Sequence, residues 1–352
     1  MVNVLMCGNH PDSKGGMTTV IDQILKHNWN SRGIKIKFIP TYYPGNNVIK
    51  IFYFFLALIK IIFLTITNKP DIIYMHMSYK GSFWRKYIIH RWSKLLGIKT
   101  IIHLHGSEFE KWYNTTSESS SKRIVRILKE CDKFIVLGNE WANIISKIEP
   151  DVDLFLLQNA VKEQEVKVEW NTEECTYVFL GVLIERKGVL DLVKAVKLLK
   201  DNNKWEKRHL LIAGTGEQEY ELKKYIEEYG MTKDVTFTGW IDSKTKAQVL
   251  SGSQIMVLPS YNEGLPVSIL EGMSYGMPII STNVGDIELA VKDGINGYVV
   301  TPGNIELLAE KIDIVGNLDV FSEMACQSKE IVNRKFSEKE FFIKLEECML
   351  KL

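Results

Sequence analysis

Two glutamates eight positions apart, Glu263 and Glu271, have the placement that most narrowly restricts their chemistry. They lie in the stretch LPSYNEGLPVSILEGMSYGMP, residues 258–278. Ile255–Leu258 reads as a strand, Ser260–Leu265 as a turn, and Pro266 as the first residue of a helix, where its missing N–H costs nothing. Glu263 then stands before the helix and Glu271 within it. Unbonded N–H groups at Leu265–Ser268 would form an anion site at the helix start. One carboxylate outside the helix and one along it can grip two separated hydroxyl-bearing groups, with a diphosphate held between them. The plainer alternative is a pair of helix-start glutamates favoured by the helix dipole.

Other candidates sit at strand ends. In FLGVLIERKG, residues 179–188, a strand ends at Leu180 and Lys187 opens the next helix with Arg186 beside it. Gly214-Thr215-Gly216 follows the strand His209–Ala213, but a tight strand–helix turn explains it equally well. Gly15-Gly16-Met17 matches neither the dinucleotide fingerprint nor the P-loop pattern. His103 and His105 flank Leu104 at a strand end, and alternation places them on one face. That pairing suggests metal, yet no third ligand stands at a telling spacing, and satisfied core histidines are the alternative. Asp151-Val152-Asp153 follows Pro150 and starts a strand, so it reads as solvent-facing. The five cysteines are scattered without a C-x-x-C spacing, which excludes a zinc or disulfide framework and fits a reducing compartment. No metal is expected.

The elements that must position these residues alternate strand and helix. Apolar runs at Val2–Met6, Ile34–Ile39, Asp71–Met77, Thr100–Leu104, Lys133–Leu137 and Leu154–Leu157 form one series. Thr176–Leu180, His209–Ala213, Val235–Thr238, Ile255–Leu258, Pro278–Ser281 and Gly297–Val300 form a second. Helix-period stretches separate the strands, which is the pattern of doubly wound parallel sheets. The expected organisation is a Rossmann-like domain over 1–163, a second over 174–335, and a closing helix over 336–352 able to cross back to the first. Val161–Thr172 is polar and aperiodic and reads as a linker. Ligands of such sheets bind at the carboxyl ends of the strands, so the expected site is the cleft between the halves.

At 352 residues, 45% hydrophobic and 25% charged, the composition is that of a globular two-domain protein. The net charge of +1 conceals an asymmetry: residues 1–110 sum to +9 and the remainder to −8. Ile72–Ser107 holds six basic residues and no acid. Such a block favours phosphates or an anionic membrane surface. Val48–Thr67 is long enough to span a bilayer, but Lys50 and Lys60 share one stripe with Tyr53, Ala57, Leu64 and Thr67. Immersing both lysines would be costly, so a helix shielded by protein or lying on a membrane is expected. Tyr79–Lys99, with Trp84, Arg85, Lys86, Tyr87, Arg91, Trp92 and Lys94, suits a headgroup-level surface. No nucleic-acid motif accompanies it, so nucleic acid is not an expected partner. The opening MVNVLMCGNH reads as strand and turn without a leader pattern, so the expected location is cytoplasmic, peripheral at the inner face of the plasma membrane.

The spacing of Glu263 and Glu271, inside PSYNEGLPVSILEGMSYGMPIISTNVGDIELAVKDGINGYVV, resembles the family 4 glycosyltransferases of bacterial surface-polysaccharide type, and the likeness runs through both halves. It implies the GT-B fold, two Rossmann-like α/β domains facing across a cleft, an N-terminal one for the acceptor and a C-terminal one for a nucleotide-sugar donor. By the same resemblance Glu263 holds the transferred sugar, Glu271 the ribose hydroxyls, and Gly264 and Leu265 the sugar and phosphate. Lys187 matches the position that binds the donor diphosphate. Val182 replaces the usual arginine there, a departure that Arg186 can offset. Gly214 and Ile241 fall near the nucleotide, Gly15 and Gly16 near sugar and diphosphate, and His105 matches an active-site histidine.

The implied reaction is retaining, metal-independent transfer from a donor such as a UDP-sugar, which serves as co-substrate with no further cofactor. A lipid-linked or glycan acceptor in cell-surface polysaccharide synthesis is the expected partner. A nucleotide-sugar epimerase of the same fold, needing no acceptor, and a non-catalytic nucleotide-sugar-binding subunit, releasing no nucleotide, are the rival readings.

Overall fold

Strands covered on both faces by helices must be apolar along their length, and each of the apolar runs is a strand. The computed structural model describes residues 1–352. β1 (Val2–Asn9), β2 (Ile34–Tyr42), β3 (Ile72–Met77), β4 (Lys99–Leu104), β5 (Lys133–Val136) and β6 (Leu154–Leu156) form a parallel sheet ordered β2-β1-β3-β4-β5-β6. Its helices are α1 (Gly16–Lys26), α2 (Asn47–Thr67), α3 (Gly81–Leu95), α4 (Phe109–Thr115), α5 (Glu118–Glu130) and α6 (Asn139–Ile148). β7 (Cys175–Leu180), β8 (Arg208–Ala213), β9 (Val235–Gly239), β10 (Ile255–Leu258), β11 (Ile279–Thr282) and β12 (Gly297–Val300) form a second parallel sheet, ordered β12-β11-β10-β7-β8-β9. Its helices are α7 (Val189–Asp201), α8 (Glu219–Glu228), α9 (Ser243–Gly252), α10 (Val267–Ser274), α11 (Ile287–Ala290), α12 (Ile305–Val315) and α13 (Leu318–Lys335), followed by α14 (Glu338–Leu350).

Met1–Asn159 with Lys339–Leu352 make one compact unit, and Ala160–Glu338 the other. α14 returns to the first unit, where Phe342 stacks on His27 at 3.9 Å between ring centroids. The polar stretch after Asn159 is not a free tether. The Val161 N–H donates to the Phe336 carbonyl at 2.9 Å and the Val168 N–H to the Tyr275 carbonyl at 2.8 Å, fastening it to the second unit. Backbone hydrogen bonds need no side-chain period, so an aperiodic sequence does not reveal them.

Two helices have faces that their sequence reading left open or hid. α2 buries only Ala57, Ile61, Leu64 and Thr65. Its opposite face leaves Val48, Ile51, Phe52, Phe63 and Ile66 each more than 60% exposed, with Phe55, Leu56 and Ile59 beside them. It is the one helix long and apolar enough to cross a membrane. α3 carries a buried stripe that its sequence did not show. Phe83, Lys86, Ile89, His90 and Ser93 are buried along it. Arg91 bonds Glu130 at 2.5 Å, Lys94 bonds Asp132 at 3.2 Å, and the Trp92 indole N–H donates to Thr65 Oγ1 at 2.9 Å. Acids from outside the acid-free stretch neutralise Arg91 and Lys94.

Candidate functional site

In an open α/β sheet, ligands sit where the strand order reverses, beyond the carboxyl ends. In the second sheet that point lies between β7 and β10, the strands followed by Lys187 and Glu263. A short 3-10 turn, Glu185–Lys187, follows β7, and Gly188 closes it at φ +65. A Cβ there would meet the Pro259 carbonyl oxygen at 2.0 Å, so only glycine lets this turn lie against the end of β10. The Tyr261 N–H donates to the Arg186 carbonyl at 2.8 Å, and Arg186 Nη1 to the Asn262 carbonyl at 2.5 Å. The two loops are one hydrogen-bonded structure.

This lacing places Lys187 Nζ directly on Glu263 Oε1. Arg186 Nη1 stands 3.7 Å from Glu263 Oε2, and Ser260 Oγ donates to Glu263 Oε1 at 2.8 Å. Glu263 is only 8% exposed, and a buried carboxylate is tolerable because two cations and a hydroxyl compensate it. α10 begins at Val267, with Pro266 as its N-cap rather than its first helical residue, and has no side-chain cap. Glu271, further along α10, pairs with Lys246 of α9. Gly264 gives its carbonyl to the Asp286 N–H at 3.0 Å, and Leu265 is buried.

Sequence reasoning brought Arg186, Lys187 and Glu263 together but missed Lys246 and Ser260. Nothing in the spacing of Lys246, 25 residues before Glu271, signals the pair. Gly214 has a nearer explanation than contact with a nucleotide. At φ +153, its Cβ would come 1.8 Å from the Gly181 carbonyl oxygen, so its smallness lets the loop after β7 pack. Ile241 follows β9, an edge strand two removed from β7.

Gly15, Gly16 and His105 belong to the first unit. Gly15, at φ +123, precedes α1, which opens at Gly16. The first sheet reverses order at β1 and β3. Register pairs His76 of β3 with His103 of β4, bringing a third histidine to the pair seen in the sequence. Nitrogens of His76, His103 and His105 lie within 4.8 Å of one another. His76 Nδ1 is 2.9 Å from His105 Nε2, and the Tyr74 hydroxyl is 2.7 Å from His103 Nδ1. Several nitrogens are thus spent within the cluster, which reads as a chain of neutral rings. Burial holds His76 and His103 well below the ordinary histidine range, and burial followed by the Lys86 charge pushes His105 down to about 3.

His76 Nε2 and His103 Nε2 are buried without partners. Buried N–H groups without acceptors are rarer than bare acceptors. His76 therefore carries its proton on Nδ1 and donates to His105 Nε2, which leaves the His105 proton on Nδ1. His105 presents a donor rather than a base.

Two doubly wound parallel sheets, the second with a cation–carboxylate cluster at its reversal point, are the architecture of the GT-B fold. Residues 160–326 match the family model described as "Glycosyl transferases group 1". The matched segment lies within the second unit and covers just under half of the chain. Over 320 residues it is 27% identical to the Escherichia coli UDP-Gal:alpha-D-GlcNAc-diphosphoundecaprenol alpha-1,3-galactosyltransferase, covering 85% of this chain and 80% of that one. It is 28% identical over 178 residues to the lipopolysaccharide core biosynthesis glycosyltransferase LpsE of Rhizobium meliloti, spanning half of each protein. The sucrose-phosphate synthase of Thermosynechococcus elongatus shares the fold at a TM-score of 0.83, with 16% identity over 100% of this chain and 99% of that one.

Proposed function

We propose that this chain is a retaining glycosyltransferase of the family 4 type, moving a sugar from a UDP-sugar to a hydroxyl of a lipid-linked or glycan acceptor in cell-surface polysaccharide synthesis. The observation that carries this reading is Glu263 held by Lys187, Arg186 and Ser260 at the sheet's reversal point. The second unit holds the donor and the first unit the acceptor. With donor bound, Lys187 and Arg186 turn their charge to the diphosphate and Glu263 accepts from a sugar hydroxyl. Glu271, steadied by Lys246, takes the ribose, while Gly264 and Leu265 bring backbone to sugar and phosphate.

The bond from the anomeric carbon to the diphosphate oxygen breaks and one to the acceptor oxygen forms on the same face. The acceptor proton passes to the departing phosphate, so no side-chain base is needed, and a donor at His105 Nδ1 suits that scheme. Charge gathers on the leaving diphosphate, where fixed cations are worth roughly a hundredfold or more in rate. No metal is required. The enzyme works at the cytoplasmic face of the membrane, in peripheral contact through the exposed face of α2.

A donor panel, read by nucleotide release with and without a polyprenyl-diphosphate-linked sugar, tests the proposal. Acceptor-dependent release of UDP and a product of unchanged anomeric configuration by NMR are expected. An inverted product overturns retention. Epimer formed without acceptor identifies an epimerase, and donor binding without release a binding subunit.

A further inference from the structure

At the carboxyl ends of β1 and β2, beside the first sheet's reversal point, stand two cations without a salt bridge. Lys86, on α3, is wholly buried, and its Nζ donates to Thr41 Oγ1 at 2.9 Å. Thr41 in turn donates to the Gly8 carbonyl at 3.0 Å, which puts the Lys86 amine beneath the carboxyl ends of β1 and β2. Arg85, the preceding residue, is half-buried, with its guanidinium over the Tyr42 ring at 5.0 Å and its Nε lacking a partner. No salt bridge reaches either side chain, whereas Arg91 and Lys94 of the same helix both find acids.

Buried charges are ordinarily paired or shifted to their neutral form. Burial, then the Arg85 charge, pushes Lys86 down to about 7. Around the amine stand Arg85, Cys7 and the chain of His76 and His105, none of which offers a negative charge at neutral pH. Such an arrangement is costly when empty and is completed by an anion supplied from outside, at the position where open α/β sheets bind ligands.

We propose that Arg85 and Lys86 form a diphosphate subsite in the first unit, which receives the phosphates of the acceptor. This rests on the lipid-linked acceptor proposed above. Arg85, the more accessible, contacts the phosphate oxygens. Lys86 lies behind Thr41 and acts through its charge. The subsite would discriminate diphosphate-linked acceptors from neutral glycans, a role the donor cluster of the second unit cannot perform.

Calorimetry on the full chain tests it with three probes: a short-chain prenyl diphosphate, inorganic diphosphate, and UDP. The wild type is expected to bind prenyl diphosphate, with affinity that falls steeply with salt. Arg85→Gln weakens that binding at least tenfold and leaves UDP unchanged. Lys86→Met does the same where it folds; Arg85→Gln, in an accessible position, keeps the test open where it does not. Prenyl diphosphate affinity within twofold of wild type in Arg85→Gln overturns the subsite. A loss confined to UDP assigns these cations to the donor instead and overturns the acceptor role. Arg85-dependent binding of inorganic diphosphate, without any binding of the prenyl compound, retains the anion site and refutes the lipid acceptor.

Discussion

At the residue scale, the two glutamates stand in different electrostatic settings, and their variants separate accordingly. Glu263 shares Lys187 with the diphosphate in the proposed reaction, so Lys187→Met removes charge where it develops in the transition state. Its kcat is expected to fall roughly a hundredfold or more, with donor KM changed little. Glu271 is bound to Lys246 and proposed to grip the ribose, a contact made before and during reaction. Glu271→Gln is therefore expected to raise donor KM roughly ten- to a hundredfold, from about 1.5–3 kcal/mol for a charged hydrogen bond, and to leave kcat near wild type. Steady-state kinetics with one UDP-sugar checks both, and equal effects on kcat and KM in both variants would refute the division. His76 makes a third case. Two-bond proton–nitrogen NMR on labelled histidine should find His105 protonated at Nδ1, and His76→Phe should return it to a mixture of tautomers. A wild-type His105 protonated at Nε2 contradicts the assignment.

At the element scale, the strands were legible because burial on both faces writes itself into sequence as uninterrupted apolar runs. Their ends were less so. β2 continues past Ile39 through Pro40 to Tyr42. It is an edge strand bonded only to β1, where a missing N–H is harmless. Helix faces were harder. α3 looked like a surface because Lys86 and His90 lie on its buried stripe, and a polarity pattern sends such residues outward. For α2 the sequence left protein and membrane open, and the exposed row from Val48 to Ile66 favours membrane. Each phenylalanine withdrawn from water is worth about 1.5–3 kcal/mol. Replacing Phe52, Phe55 and Phe63 by serine should weaken binding to anionic vesicles by at least roughly tenfold, measured by cosedimentation. Lys60 is exposed at the edge of this face, so binding should also weaken with salt. Equal cosedimentation of the variant removes α2 from the contact. In the second unit, Gly188→Ala adds a clash to a positive φ, whereas Gly230→Ala, at φ +63 with open space around it, adds strain alone. Gly188→Ala should be the less stable by about 1–3 kcal/mol in chemical denaturation, and equal losses would show that the close approach to Pro259 is not limiting.

At the scale of the whole molecule, charge and titration are divided between the units in a way that folding should report. Six of the seven histidines lie in the first unit, only His209 in the second. Burial holds His76 and His103 well down, His105 at about 3 and His90 at about 4. These groups accept protons near pH 6.5 once unfolded but resist them when folded. Between those values the unfolded chain binds more protons, so stability is complete above about pH 6.5 and falls as the solution is acidified. The slope is at most about 1.4 kcal/mol per pH unit for each histidine. Coupling within the ring chain makes the sum less than fourfold. Lys86, shifted from 10.5 to about 7, has the same sign but acts in the alkaline window, adding stability as pH rises between those values. The depressed carboxylates of Glu130, Asp132 and Asp313 hold their contribution down to ordinary carboxylate pH and lose it only below. They are silent between pH 5.5 and 7.5. Lowering pH over that window should thus cost the first unit roughly two or more kcal/mol, a fall in Tm of at least about 5 °C. Should calorimetry resolve two transitions, the one that shifts must belong to the first unit. A Tm unchanged between pH 7.5 and 5.5 would mean that the histidines by β3 and β4 take up protons in the folded protein, and with that the neutral ring chain, the His105 donor and the uncompensated charge of Lys86 would all need a different account.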